Sequence, residues 1–270
     1  MSHAAMISMV RSAMERIRAR MRERSGFDIV CRKVSGDPTR EIDLEIESLY
    51  VCELKRILGS VRIKSEESGW VLNDDNSEFV AIVDPIDGTE MAARQVALFS
   101  TAVSILRPDG DLVFSAVGDV GMDQVFWADS TRAFLDDRRL RAPEERILAN
   151  SFLVNYSMSA DRTNHPEWAV RVLERCARFL NYGGPLFLAK IADGTVDGVL
   201  EYQKGYFLYD LLPGLHIARN AGAAVCNLSG EPLDLSDFDR RYKFFATSGN
   251  ALQREILDVM VAYPSGPTDE

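Results

Sequence analysis

The chain has only three histidines and four cysteines in 270 residues, too few and too scattered for a soft-metal centre. His3, His165 and His216 show no ligand spacing, and Cys31, Cys52, Cys176 and Cys226 include no C-x-x-C pair. Zinc favours such nitrogen and sulfur sets, so a zinc cluster is not expected. The same scatter argues against a disulfide framework and fits reduced thiols in a cytosolic protein. Basic charge is also in short supply: 31 Lys and Arg face 41 Asp and Glu, for a net charge of −10. Without a positive field, broad nucleic-acid or anionic-membrane binding is not expected. No apolar run approaches transmembrane length, and neither repeats nor low-complexity tracts occur. Near the start, Met6, Met9, Val10, Met14, Ile17 and Met21 recur at helical spacing between arginines, which reads as an amphipathic helix and not a signal-peptide core. The expected location is therefore cytoplasmic.

What is plentiful is carboxylate, and one stretch concentrates it. Phe79-Val80-Ala81-Ile82-Val83 is a strand-forming run that ends in Asp84-Pro85-Ile86-Asp87-Gly88-Thr89. A buried strand ending this way presents two carboxylates at one end of a sheet, where they can hold a hard cation. The Gly-Thr backbone after them can approach an anion closely. Carboxylate, cation and phosphate together point to metal-assisted phosphoryl chemistry. Taken alone, Asp-Pro-x-Asp-Gly is also ordinary turn chemistry, so the reading needs partners elsewhere.

The rest of the chain reads as mixed α/β. Strands are expected at Phe27–Lys33, Val61–Ile63, Phe79–Val83, Thr101–Leu106, Leu112–Val117 and Gln124–Trp127, with a helix over Glu41–Leu58 stopped by Gly59. The second half alternates: a strand at Ile147–Val154, a helix at His165–Arg178, a helix opened by Pro185, and extended chain at Val196–Tyr202. A helix at Leu211–Ala221 capped by Asp210, a strand at Phe244–Thr247 and a final helix at Ala251–Tyr263 complete it. Meander first and βα alternation second imply stacked layers of helices and sheets. The charge run with Pro143 at Arg138–Glu145 suggests a boundary between an N-terminal lobe, 1–140, and a C-terminal lobe, 141–270.

Several positions beyond the acidic run follow one family pattern. Glu66-Glu67 precedes the strand, Asp210 sits in Tyr209-Asp210-Leu211-Leu212-Pro213-Gly214, and Lys33, Asp37 and Asp43 lie ahead of the second helix. With Asp84-Pro85-Ile86-Asp87-Gly88-Thr89 they resemble the signature of the inositol monophosphatase family, closest in flavour to its archaeal-type inositol monophosphatase/fructose-1,6-bisphosphatase branch. The resemblance implies an α+β, layered αβαβα sandwich and a Mg²⁺-dependent phosphomonoesterase acting on inositol or sugar phosphates, with two or three ions and Mn²⁺ as a substitute. It implies one ion on Glu66, Asp84 and the Ile86 carbonyl, and a second on Asp84, Asp87 and Asp210. Asp43 and Thr89 would orient the attacking water and take its proton, while Gly88 and Thr89 hold phosphate. It further implies a homodimer and some lithium sensitivity. Asp193-Gly194-Thr195-Val196-Asp197-Gly198 matches a family element with a structural role.

The sugar-recognition parts depart from the pattern. Met91 replaces the usual Asn, Gln203 stands where inositol-preferring members carry Glu, and Gly183-Gly184-Pro185 replaces a Gly-Ser or Gly-Thr element that touches the sugar. Gly184, Gln203 and Asp210 are the expected substrate contacts, with Arg94, Lys204 and Arg219 as candidate anchors for a second phosphate. Two alternatives stay open: a phosphatase for 3′-phosphoadenosine 5′-phosphate, for which no adenine platform stands out, and a catalytically weakened relative that binds phosphate ligands.

Overall fold

The computed structural model describes residues 1–33, 38–143, 146–157 and 164–264. Asp37, Glu144 and Glu145 lie outside them. The chain opens with α1 (His3–Glu23), whose Met6, Met9, Val10, Ala13, Met14 and Ile17 are buried along one stripe. A short antiparallel pair, β1 (Ile29–Arg32) and β2 (Pro38–Arg40), leads into α2 (Glu41–Leu58). α2 buries Ile42, Ile46, Tyr50 and Leu54 at four-residue spacing and stops at Gly59, within the expected bounds.

An eight-stranded sheet follows. Its strands are β3 (Val61–Ser65), β4 (Gly69–Leu72), β5 (Phe79–Asp87), β6 (Ser100–Leu106), β7 (Leu112–Asp119), β8 (Gln124–Asp129), β9 (Ala133–Leu135) and β10 (Arg138–Arg139), in the order β10-β9-β8-β7-β6-β5-β3-β4. The five-residue helix α3 (Thr89–Ala93) interrupts it after β5. β5 through β10 form the antiparallel meander, and β3 lies parallel to β5.

The second sheet is built from β11 (Phe152–Asn155), β12 (Arg178–Asn181), β13 (Gly198–Tyr206), β14 (Ala224–Cys226) and β15 (Tyr242–Thr247), in the order β12-β11-β13-β15-β14. Between these strands run α4 (Glu167–Arg175), α5 (Pro185–Ile191) and α6 (Leu208–Asn220), and α7 (Asn250–Ala262) closes the fold. β12 and β13 both pair parallel to β11, the geometry that helical crossovers require. α1 and α2 cover one face of the first sheet. α5 and α6 fill the space between the two sheets, burying Leu186, Leu188, Leu211, Leu215 and Ile217. α4 and α7 cover the outer face of the second sheet through Trp168, Val172, Leu252 and Ile256. Five layers, αβαβα, result. Among the described residues no helix is long and apolar enough to cross a membrane.

Three local expectations change. α4 is shorter than His165–Arg178, because the chain leaves the helix at Cys176 and Arg178 joins β12. The strand expected over Ile147–Val154 begins only at Phe152, after a 3₁₀ turn at Leu148–Asn150. α6 starts at Leu208, so Asp210 lies inside its first turn and does not cap it; Phe207 is the cap residue. Pro213 consequently falls in the second turn.

The family-like Asp193–Gly198 element is structural, as expected. Asp197 Oδ2 accepts the Phe152 N–H at 2.8 Å, its N–H donates to Phe152 O, and Arg146 pairs with it at 2.9 Å.

Candidate active site

The site forms where β5 stops. In a regular strand Asp84 and Asp87, three residues apart, would face opposite sides of the sheet. The β5–β6 register slips between them: Asp84 pairs with Ala102 but Asp87 with Ser100. This bulge brings both carboxylates to one side, the re-aiming role that bulges serve. The first turn of α6 delivers Asp210 to the same place. Carboxylate oxygens of Asp84, Asp87 and Asp210 all lie within 4.8 Å of one another.

Electrostatically this trio is unfavourable without a cation. Asp84 is fully buried, and neither of its oxygens has a hydrogen-bond donor among the described residues. Burial, then the charges of Glu66, Asp87 and Asp210, hold its carboxyl well above the usual range. Asp87 is raised likewise by burial, Asp210 and Glu66, with a weak opposing hydrogen bond from Ser100 at 3.4 Å. Asp210 is pushed up to about 7 by burial and Glu66, against the nearby positive charges of Arg241 and Lys204. Buried carboxylate oxygens with no donor, in an all-oxygen set, are what a hard divalent ion such as Mg²⁺ satisfies.

The other expected residues fall around this centre. The Glu66 N–H donates to Val83 O, which places the residue beside β5, but its carboxylate pairs with Lys33 at 2.6 Å and stands outside the trio. Lys33 also reaches Glu67 at 3.0 Å. Burial opposes the charge on Lys33, yet these two carboxylates raise its proton affinity above the ordinary value.

Asp43, in the first turn of α2, is fully buried. Its Oδ2 accepts the Arg40 N–H at 2.8 Å, and its Oδ1 accepts from Thr89 Oγ1 at 2.9 Å. Thr89 Oγ1 is equally close, 2.9 Å, to Ile86 O, so one hydroxyl proton faces two acceptors. Burial pushes the Asp43 carboxyl up to about 7, with Glu67 and Glu66 adding to it against the hydrogen bonds from Arg40 and Thr89. A carboxyl poised there can exchange a proton near neutral pH.

Two glycines let the backbone close in. Gly88, at φ +79°, caps α3, and an added Cβ would meet Leu98 O at 2.8 Å. Gly184, at φ +98°, lies against Asp87, where a Cβ would sit 2.2 Å from Oδ2. The Gly184 N–H donates to Tyr206 Oη at 3.1 Å, and Tyr182 Oη donates at 2.5 Å to Leu98 O, the carbonyl that packs against Gly88.

From the carboxylates the cleft, about 520 Å³, runs to a wall that the sequence did not reveal. Tyr156, Tyr182, Phe207 and Tyr209 line it together with Lys204 and Arg241. The Arg241 guanidinium sits 4.1 Å over the Phe207 ring and donates to Gly205 O at 3.0 Å. Of the candidate second-phosphate anchors, only Lys204 lines the cleft. Arg94 pairs with Glu90 at 2.7 Å on the surface, and Arg219 lies at a different cavity. Gln203 does not line the cleft either: its side-chain amide donates to Asn164 O at 3.3 Å, because Glu201 pins this turn by accepting the Gln203 and Gly205 N–H groups. Met91 does line it. His216 is buried in α6 and hydrogen-bonds Ser115 and Asn220, a packing role. Asp37 lies outside the described residues.

Comparison with known proteins gives the family and the fold. The chain is 27% identical over 206 residues to the inositol-1-monophosphatase of Mesorhizobium japonicum, covering 74% of this chain and 76% of that protein. It is 29% identical over 230 residues to the fructose-1,6-bisphosphatase/inositol-1-monophosphatase of Archaeoglobus fulgidus, covering 83% of this chain and 84% of that one. In fold it matches the extragenic suppressor protein SuhB of Bartonella henselae with a TM-score of 0.84 at 21% identity, over 95% of this chain and 97% of that one. The sequence profile of the inositol monophosphatase family matches residues 2–258. The chain belongs to the inositol monophosphatase family.

Proposed function

We propose that the protein is a metal-dependent phosphomonoesterase that hydrolyses inositol monophosphate or sugar phosphates such as fructose 1,6-bisphosphate. The observation that carries this reading is the Asp84 carboxylate, buried without a donor beside Asp87 and Asp210. Asp84, Asp87 and Asp210 would hold Mg²⁺, with Glu66 and the Ile86 carbonyl as further ligands. When bound, such ions acidify a water and stabilise the attacking and leaving oxygens of an in-line displacement. Lys33 holds only Oε1 of Glu66, so the other carboxylate oxygen would be the one offered to the cation.

The chain's own part begins with Thr89, which orients the attacking water through its hydroxyl. Asp43, hydrogen-bonded to that hydroxyl and poised near 7, receives the water's proton. The N–H groups of Gly88 and Thr89 contact the phosphate, and Gly184 borders the substrate beside Asp87. A cytoplasmic homodimer, each chain of which has an N-terminal lobe, 1–140, and a C-terminal lobe, 141–270, belongs to the same reading.

A second reading has structural support of its own. The stacked Arg241–Phe207 pair beside Tyr209 and Lys204 offers a planar surface and positive charge, suited to a base and second phosphate as in 3′-phosphoadenosine 5′-phosphate. Phosphate release from inositol monophosphate, fructose 1,6-bisphosphate and 3′-phosphoadenosine 5′-phosphate, with Mg²⁺ and after chelation, tests both. Metal-dependent release ranks the substrates; no release from any of them would leave a phosphate-ligand-binding relative as the function.

A further inference from the structure

A second cavity, about 510 Å³, opens at the other end of the first sheet. Val80 and Leu106, paired near the start of β5, line it, whereas the catalytic carboxylates stand where β5 ends. Leu112, Leu212 and Phe238 add apolar surface. Into this apolar setting α6 projects Arg219 from its last turn.

Arg219 is the unusual residue. It is half-buried, yet among the described residues it has no hydrogen-bond or ion-pair partner. Burial lowers the proton affinity of its guanidinium, and no carboxylate offsets that effect. A half-buried guanidinium without a counter-ion leaves its fork of donors free for an incoming anion. The neighbouring charges do not supply the anion. Asp75 is already paired with Arg62 at 3.1 Å. Asp109 and Asp111 are exposed on the β6–β7 turn, where the Asp109 carboxylate accepts the Asp111 N–H. Arg107, exposed on the same turn, adds a second cation at the rim.

We infer that this cavity is a second ligand site, separate from the catalytic cleft, for a small organic anion whose phosphate or carboxylate head pairs with Arg219 while its apolar body rests on Leu112, Leu212 and Phe238. Asp210 and Arg219 lie nine residues apart on α6, about 14 Å along the axis, so one rigid element carries both sites.

Isothermal titration of the chelated protein tests the inference, because chelation removes the ions that would draw anions to the carboxylate trio, and Arg241→Met reports any binding at the other end of the cleft. Phenylphosphonate, phenylacetate and inorganic phosphate serve as probes, the first two distinguishing a phosphorus head from a carboxylate. At least one aromatic anion should bind once per chain, about tenfold or more tighter than inorganic phosphate. Arg219→Met should weaken that binding about 10- to 100-fold, the range for a charge-assisted hydrogen bond. Arg241→Met, in the cleft, should leave it unchanged. Arg219→Met removes an unpaired charge and should keep or raise the melting temperature, which separates lost binding from lost fold. No binding of either aromatic anion, binding indifferent to Arg219→Met, or binding lost in Arg241→Met instead would overturn the inference.

Discussion

The two ends of the catalytic cleft are built in contrasting ways. At the carboxylate end, Asp84, Asp87, Gly88 and Thr89 come from one contiguous run, rigidly held by β5 and its neighbours and joined by Asp43 and Asp210 from helix first turns. At the aromatic end, Tyr156, Tyr182 and Arg241 come from separate connections of the second sheet, and Lys204 and Phe207 from the end of β13 and the residue after it. The first end is crowded with like charges; the second carries cations and rings. On the proposed reading, chemistry common to all substrates belongs to the former, and discrimination between substrates to the latter. Changes at the carboxylate end should therefore lower turnover for every phosphate ester, and changes at the aromatic end should separate one ester from another.

The largest effect is expected at the hydrogen-bonded Asp43 and Thr89. Asp43→Asn, or Thr89→Val, should lower kcat on the order of 10²- to 10⁴-fold for every substrate, the usual weight of general acid–base catalysis. Steady-state kinetics with saturating Mg²⁺ measures this, and a loss confined to one substrate would erase the contrast between the two ends. Next comes Arg241→Met. It should raise KM roughly 10- to 100-fold for substrates with a second anionic group, with little change for inositol monophosphate. An equal effect on both would assign Arg241 to the chemistry instead.

The smallest effect concerns pH and stability. The carboxyls of Asp84, Asp87 and Asp210 bind protons more tightly folded than unfolded, with Asp210 at about 7. The metal-free fold is thus favoured below about pH 4, near the unfolded value, and loses that advantage as pH rises toward 7. Bound Mg²⁺ removes the penalty. Thermal melts should show the gap between Mg²⁺-loaded and chelated protein widening by several degrees from about pH 5 to about pH 8. A difference between the two forms also cancels His216, which burial holds down to about 4 and whose own contribution has the opposite sign.

Legibility in the sequence followed the same division. The acidic run could be read because a strand, two carboxylates and a Gly-Thr pair are adjacent, and α2 because its four-residue apolar spacing ends at a glycine. The layered architecture followed from meander and βα alternation. The start of α6 could not be read correctly, since Phe207 supplies no side-chain cap while Asp210 imitates one. The β5–β6 bulge, which turns Asp84 and Asp87 to the same side, was marked only by Pro85, a residue that cannot donate to the ladder of a central strand. Arg241 was hidden for a different reason: one arginine beside Arg240 in a polar connection has no local signature, and only the fold stacks it on Phe207. Gln203 shows the reverse case, a position taken from the family pattern whose side-chain amide donates to Asn164 O beside the Glu201-pinned turn.

The central claim is that Asp84, Asp87 and Asp210 form a divalent-cation site, and Mn²⁺ binding to the chelated protein, followed by electron paramagnetic resonance, tests it most directly. The account predicts saturable binding to the wild-type chain that Asp84→Asn weakens at least tenfold, since Asp84 is the buried ligand the other two converge on. A wild-type chain that binds no Mn²⁺, or an Asp84→Asn variant that binds it equally well, would contradict the account.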